Sequence, residues 1–199
     1  MAGIKSIELV TEAEKSLESY KKYLEKLARK EDDGTISNEG KDHASILMAT
    51  LLANTDKSIK MYCTGLKPDL LENYNGAYWK EFQDFFNNDA KKTVNVEILI
   101  QDDTWCSQNT PPFQKLKNAK ANGFLISVRQ IDPSDIQGIN TSLGFKSDDN
   151  VNFSIFDGKA YRLEYDVLEY KAISDFDNEK TCTELSNAFD AAFEKAKQL

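Results

Sequence analysis

The chain has 199 residues, of which 40% are hydrophobic, a length and composition that suit one domain with a packed core. Its 33 acidic residues outnumber the 25 basic ones, and the formal net charge is −8. Such a charge repels phosphate backbones and anionic lipid headgroups, so the composition disfavours binding to nucleic acid or to a membrane surface. The sequence has no apolar run near the roughly 20 residues that span a bilayer, nor an apolar secretory signal at its start. We therefore expect a cytoplasmic protein.

The cysteines and the single histidine limit the metal chemistry that the chain can support. Cys63, Cys106 and Cys182 are far apart and odd in number, which favours reduced thiols over a disulfide framework. One histidine, His43, is too few for the usual zinc motifs. The glycine-rich loops that cradle phosphates are absent too, and we expect no metal and no cofactor. A magnesium site built from carboxylates alone stays open, because the sequence does not show which acidic residues meet.

The N-terminal region is predicted to be helical. Residues 11–31 carry apolar residues at steps of three and four, which predicts an amphipathic helix. Its apolar positions are Ala13, Leu17, Tyr20, Leu24 and Leu27. This helix packs either on its own domain or, through a short heptad-like seam, on a second copy. Residues 32–40 are a polar linker, so we expect residues 1–40 to form an N-terminal helix and linker and residues 41–199 to form an α/β domain.

Strands and helices alternate through the rest of the chain. Apolar patterns predict helices at 43–54, 76–88, 113–122 and 178–197. They predict strands at 58–64, 94–100, 124–131, 151–156 and 160–165. Residues 132–149 are predicted to be a long polar loop. Strands separated by helices imply crossovers and a mixed or parallel sheet with helices on its faces, and the Asp157-Gly158 turn joins the last two strands in a hairpin.

Two isolated side chains are candidates for chemistry. His43 begins a helix that is apolar almost all round, which favours a packing histidine over a general base. Cys106 lies in a polar loop after strand 94–100, at the kind of strand end where open α/β sheets bind ligands. That loop is interpreted either as a pocket wall or as an ordinary surface loop. The sequence places neither a base beside Cys106 nor a thiol beside His43.

The hairpin carries the most specific pattern in the chain. Residues 150–158 are Asn-Val-Asn-Phe-Ser-Ile-Phe-Asp-Gly. The strand, the Asp-Gly turn and the preceding polar loop resemble the phospholipase D superfamily signature, His-x-Lys-x4-Asp. Asp157 matches the aspartate of the signature, whereas Asn150 stands at the histidine position and Asn152 at the lysine position. The Gly-Ser-x-Asn segment that follows in the family is not recognisable here, and by element order the resemblance covers residues 41–197.

This resemblance implies a phospholipase D-like α/β fold, a mixed sheet flanked by helices, here preceded by an amphipathic helix. In the family the histidine attacks phosphorus, the lysine binds the phosphate and the aspartate orients the site. An amide is neither a nucleophile nor a general acid or base near neutral pH, so Asn150 cannot replace the histidine. With the lysine also lost, we predict no catalytic residue in this motif.

We therefore expect a binding module rather than an enzyme, with a protein or a small ligand as its partner. Asn150 and Asn152 can hydrogen-bond a ligand, and Asp157 and Arg162 complete the predicted ligand site. Arg162 points away from the apolar face of its strand. It is interpreted either as a positive charge at the mouth of the site or as a surface salt bridge, with Glu164 as its partner.

Two further hypotheses stay open. One is a hydrolase of the phosphodiesterase or nuclease type that uses a non-standard site, and the other is self-association through helix 11–31. Family members with one motif copy pair across a two-fold axis, so the resemblance implies a homodimer. Degenerate domains of this kind occur in bacterial defence and mobile-element systems, and the resemblance extends that role to this chain as an expectation.

Overall fold

The computed structural model describes residues 17–66, 68–102, 104–107 and 110–199, without the side chains at 68–70, 72–75, 105 and 107. The helices are α1 (Leu17–Ala28), α2 (Lys41–Ala53), α3 (Pro68–Phe85), α4 (Thr104–Ser107), α5 (Pro111–Ala121), α6 (Pro133–Ser142) and α7 (Glu179–Phe193). The strands are β1 (Ile36–Asn38), β2 (Ser58–Cys63), β3 (Asn95–Ile100), β4 (Leu125–Gln130), β5 (Asn152–Phe156), β6 (Ala160–Asp166), β7 (Lys171–Asp175) and β8 (Lys197–Gln198).

The strands form one mixed sheet in the order β1-β7-β6-β5-β2-β3-β4-β8. β2, β3 and β4 run parallel to one another, and the other neighbours are antiparallel. Parallel neighbours need a crossover, which α3 provides between β2 and β3 and α5 between β3 and β4. The predicted mixed sheet and the predicted β5–β6 hairpin are both confirmed.

Helices cover both faces of the sheet and create two apolar layers. One layer contains core residues of α1, α2, α3 and α5, such as Leu24, Leu47 and Phe82. The other contains core residues of α6 and α7, such as Ile139 and Phe189. Successive strand residues alternate between these layers, as a pleated strand requires. No helix in the described ranges is long and apolar enough to cross a membrane.

Residues 17–40 belong to the same packed structure as the rest of the described chain. α1 buries Tyr20, Leu24 and Leu27 against the core that includes α2. β1 lies within the predicted linker and pairs antiparallel with β7, with Ser37 opposite Ile173. The described part of the predicted helix 11–31 therefore packs on its own domain. Residues 1–16 lie outside the described part of the chain.

The prediction of a long loop at 132–149 is wrong, because α6 occupies its first half. Asp132 caps this helix by accepting a hydrogen bond from the Ser134 backbone N–H at 2.9 Å, and Pro133 takes the first helical position. Ile139 is buried against the α7 layer. Residues 132–149 are mostly polar, and the apolar stripe of α6 is too short for the sequence pattern to indicate a helix.

The end of the chain also differs from the prediction. β7 lies in a stretch for which no element was predicted, and α7 ends at Phe193 rather than continuing to 197. Arg129 of β4 donates a hydrogen bond to the Phe193 carbonyl at 2.7 Å, at the helix terminus where cations are favoured. The chain then turns into β8, which pairs with β4. α3 differs as well, since it begins at Pro68, eight residues before the predicted start.

Candidate functional site

The sheet places the start of β5 beside the carboxyl ends of the parallel strands. β5 runs antiparallel to β2, and its residue Phe153 lies opposite Tyr62, the last but one residue of β2. The Gln101 side chain, just after β3, donates a hydrogen bond to the Val151 carbonyl at 3.1 Å. Open α/β sheets bind ligands at this edge, so the first residues of β5 stand at a favourable position for a site.

Asn152 is held there by hydrogen bonds from both ends of its amide. Its Oδ1 accepts from the backbone N–H of Thr64 at 3.1 Å, in the loop that follows β2. Its Nδ2 donates to Glu164 Oε2 at 2.7 Å. The Asn152 side chain, at the lysine position of the motif, therefore makes hydrogen bonds to two other parts of the protein.

Arg162 and Glu164 form a buried ion pair on β6. Glu164 Oε1 accepts from Arg162 Nη2 at 2.9 Å, and the same nitrogen donates to the Tyr170 carbonyl at 3.3 Å. The two residues are only 5% and 4% exposed. The predicted partnership of Arg162 with Glu164 is confirmed, but its expected position on the surface is wrong. A buried pair is costly to form unless its remaining polar atoms find partners.

A cavity of about 50 Å³ lies against this polar cluster, which we define as Asn152, Arg162 and Glu164. By volume it has room for roughly three or four water molecules. Its apolar walls include Met48, Met61, Leu66, Leu71 and Val167. The wall of the cavity thus combines apolar side chains with the three hydrogen-bonded residues of the polar cluster.

Two buried donors at the cavity have no hydrogen-bond partner among the described residues, Arg162 Nε and the Tyr78 hydroxyl. Burial raises the pKa of Tyr78 above its usual value, an effect that the charge of Arg162 partly offsets. The hydroxyl therefore keeps its proton at neutral pH. Buried donors without partners are rare and costly, which makes this pair the feature of the cavity that most needs a ligand or water.

Cys63 is a poor nucleophile because of its environment. Burial, followed by the negative charge of Glu164, raises the pKa of Cys63 to about 12. Cys106 lies in the short helix α4 rather than in a loop and is partly buried against the core. Since the thiolate is the reactive form, the environment of Cys63 opposes cysteine catalysis.

Two of the four predicted site residues lie away from the polar cluster. Asn150 is exposed in the connection before β5. Asp157 follows the far end of β5, about 16 Å from Asn152 at the usual rise of a strand. Its carboxylate accepts hydrogen bonds from the backbone N–H groups of Asp56, Lys57 and Ser58, at 3.0, 2.7 and 3.0 Å. The structure thus brings Asn152 and Arg162 together through Glu164, and it uses Asp157 to fix the start of β2.

The other candidates for chemistry lie outside the polar cluster. The His43 ring stands edge-on to Tyr20, with 4.7 Å between ring centroids, which agrees with a packing histidine. Within the described ranges, no group of three or more His, Cys, Asp or Glu side chains is placed to hold a metal ion.

Comparisons with known proteins find likeness in structure rather than in sequence. No family model and no curated protein matches the chain. NucT from Helicobacter pylori has a TM-score of 0.52 and 11% identity, with 84% of this chain and 100% of NucT covered. TrmBL2, described as an archaeal chromatin protein with a novel mode of DNA binding, also has a TM-score of 0.52 and 11% identity. The match covers 83% of this chain and 53% of TrmBL2, so this chain spans about half of that structure.

A third solved structure is named for the family that the hairpin resembles. Nuc from Salmonella typhimurium, a phospholipase D family member, has a TM-score of 0.49 and 16% identity, with 83% of this chain and 98% of Nuc covered. At such identities the likenesses concern the fold alone. The mixed sheet, the crossover helices and the β5–β6 hairpin follow the expected element order. This element order and the likeness to NucT give the chain a phospholipase D-like fold.

Proposed function

We propose that the chain is a catalytically inactive phospholipase D-like domain that binds a small ligand or a protein partner. The main support for this proposal comes from Asn152, at the lysine position of the motif. Its amide accepts a hydrogen bond from the Thr64 backbone and donates one to Glu164. Asn150, at the histidine position, offers no nucleophile and no proton-transfer group near neutral pH. A phosphoryl group at this motif would meet neither an attacking atom nor a lysine.

The charge of the polar cluster supports the same proposal. Arg162 is the cation of the cluster, and its ion pair with Glu164 already balances it. A phosphodiester placed here would approach the carboxylate of Glu164, and the described residues that line the cavity supply no second positive charge to offset it. The overall charge of −8 adds to this repulsion, so nucleic acid is the less favoured partner. The DNA binding described for TrmBL2 is a property of that protein.

Of the two kinds of partner, the small ligand has the stronger support. The cavity beside the polar cluster is partly enclosed and has two buried donors to offer. Support for a protein partner comes from Tyr165 and Leu168, which are 45% and 87% exposed near the β6–β7 turn. Scattered exposed apolar side chains are common on proteins, so they weigh less than the cavity. A homodimer and a role in bacterial defence or a mobile element stay predictions, and sedimentation of the purified chain tests the first.

A hydrolysis assay tests the proposed absence of catalysis. The purified chain is incubated with bis(4-nitrophenyl) phosphate and with labelled single- and double-stranded DNA and RNA, in the presence of magnesium, manganese, calcium or zinc. We expect no product above the protein-free background. Asn150→Ala and Asn152→Ala are assayed in parallel, with Asn95→Ala as the control because Asn95 is exposed at the opposite end of the sheet.

The outcomes distinguish the proposal from the alternative of a hydrolase with a non-standard site. Turnover that is lost in the Asn150 or Asn152 variant and kept in the Asn95 variant would show that the asparagines take part in a reaction. Turnover that survives both substitutions would place a hydrolytic site elsewhere in the chain. Either result would end the proposal of an inactive domain.

A further inference from the structure

We infer that the cavity beside the polar cluster binds a small uncharged molecule that carries a hydrogen-bond acceptor, such as an amide, a carbonyl or an alcohol. This inference rests on the proposed function, because it names the class of ligand for that site. Three properties of the cavity support it: the balance of charge, the kind of hydrogen-bonding group left without a partner, and the size and apolarity of the walls.

The balance of charge excludes an anion. Glu164 receives Arg162 Nη2 on Oε1 and Asn152 Nδ2 on Oε2, so its two oxygens are engaged and its charge is matched by one arginine. A carboxylate or phosphate in the cavity would lie close to Glu164 where little water screens the repulsion. A cation is disfavoured as well, since it would meet Arg162, and Glu164 is the one carboxylate among the described residues that line the cavity.

The unpartnered groups at the cavity call for an acceptor. Arg162 Nε and the Tyr78 hydroxyl are both donors, and both are buried without a partner among the described residues. Arg162 is 5% exposed and Tyr78 is fully buried. An arginine nitrogen can only donate, so a ligand oxygen in the cavity supplies the acceptor that these donors lack. An acceptor thus relieves the energetic penalty that buried, unsatisfied donors impose on the empty site.

The size and walls of the cavity limit the rest of the ligand. About 50 Å³ admits only a few heavy atoms. Met48, Met61 and Val167 contribute apolar surface to the wall of the cavity. A methyl or methylene group fits against these side chains while the oxygen faces the donors. Methionine side chains adapt readily to such small shapes.

Acetamide and acetate provide a matched pair of probes, because they share size and shape and differ in charge. The ¹⁵N-labelled chain is titrated with acetamide, acetate and inorganic phosphate while NMR chemical shifts are followed. We expect saturable shifts with acetamide at Gly65 and Asn152, which line the cavity, and none with acetate or phosphate. Because so small a molecule makes few contacts, the affinity is expected to be millimolar.

Tyr78→Phe removes one donor and keeps the ring that lines the cavity. We expect it to weaken acetamide binding about tenfold, as the loss of one buried hydrogen bond does. The matched control is Tyr161→Phe. Tyr161 is a buried tyrosine in the layer on the opposite face of the sheet, and it is not among the described residues that line the cavity. This control is expected to leave acetamide affinity unchanged.

Two results would overturn the inference without touching the proposal of an inactive domain. Tighter binding of acetate or phosphate than of acetamide would assign the cavity to anions. The absence of a saturable shift with any probe would show that the cavity is closed to ligands of this class. The proposed function itself is decided by the hydrolysis assay, so the two failures are distinguishable.

Discussion

Arg162 and Glu164 stand two residues apart on β6, and both line the cavity together with Met48 of α2. Asn152 and the Tyr170 carbonyl complete the hydrogen bonds of the pair. Taking two charges out of water is costly, and the pair is maintained only because each partner offsets the other. The removal of one partner therefore affects stability more than the removal of both.

Replacement of Glu164 tests this dependence. Glu164→Leu leaves Arg162 charged and buried, and we expect the free energy of unfolding to fall by about 3–5 kcal/mol. The double variant Arg162→Leu with Glu164→Leu should lose less than the sum of the single variants. Urea unfolding followed by circular dichroism measures both. Additive losses would show that the two side chains are not coupled.

Asp157 provides a second test at the residue scale, because its carboxylate accepts the backbone hydrogen bonds that hold the start of β2. Asp157→Ala removes the acceptor for three backbone N–H groups, and we expect a loss of about 2 kcal/mol in the free energy of unfolding. Asp157 has φ of 55°, a conformation in which glycine is free of the side-chain penalty. Asp157→Gly should therefore be less destabilised than Asp157→Ala. Equal stability of the wild type and both variants in urea would contradict the anchoring role.

The residues of the polar cluster could be predicted only in part from the sequence. Alternation along a strand places Arg162 and Glu164 on one face, and their pairing was a sequence-based expectation. The sequence does not show that α2 covers that face, so the burial of the pair could not be predicted. Tyr78 and Thr64 join the site from a helix and a loop that are distant in sequence. No local sequence pattern indicates that Tyr78 and Thr64 lie at the same site.

α1 contributes to the core at the scale of an element. Leu24 is fully buried in the layer that contains α2. Leu24→Ala should therefore lower the free energy of unfolding by about 2–5 kcal/mol, through lost apolar burial and a residual cavity. Lys26→Ala, at an exposed position of the same helix, is the control and should change little. Thermal unfolding measures both, and equal effects would mean that α1 does not pack as described.

The elements that sequence patterns predicted best are the long apolar ones. β2, β3, β4 and the β5–β6 hairpin appear within one or two residues of their predicted bounds. α6 was not predicted because Gly138 and Asn140, which are poor helix formers, interrupt its apolar pattern. The cap at Asp132 stabilises the helix only when Ile139 also packs against the core. β1 and β8 are too short to show a period, and only pairing with a neighbour makes them strands.

Three thiol and phenol groups with raised pKa values make the whole molecule less stable at alkaline pH. Burial is the main cause that raises the pKa of Cys63 and Cys182 from 9.0 to about 12, and that of Tyr161 from 10.0 to about 12. Below about pH 9 both the folded and the unfolded chain keep these protons, and stability is complete. Between about pH 9 and about pH 12 the unfolded chain releases protons that the folded chain retains, so stability falls.

Urea unfolding at about pH 8 and about pH 10.5, in the presence of a reductant, measures this fall. We expect a lower free energy of unfolding at the higher pH. In the Cys182→Ala variant the difference between the two pH values should be smaller, because one of the responsible groups is gone. A stability that is constant over this range, or an undiminished fall in the variant, would contradict the assignment.

We propose that this phospholipase D-like fold lacks the chemistry of the family motif. A single-turnover experiment, with the chain in large excess over a labelled oligonucleotide, detects even a slow reaction and is the most direct test. We expect the oligonucleotide to stay intact with the wild-type protein, as it does without protein. Cleavage by the wild type that is abolished in Asn150→Ala and retained in Asn95→Ala would contradict it.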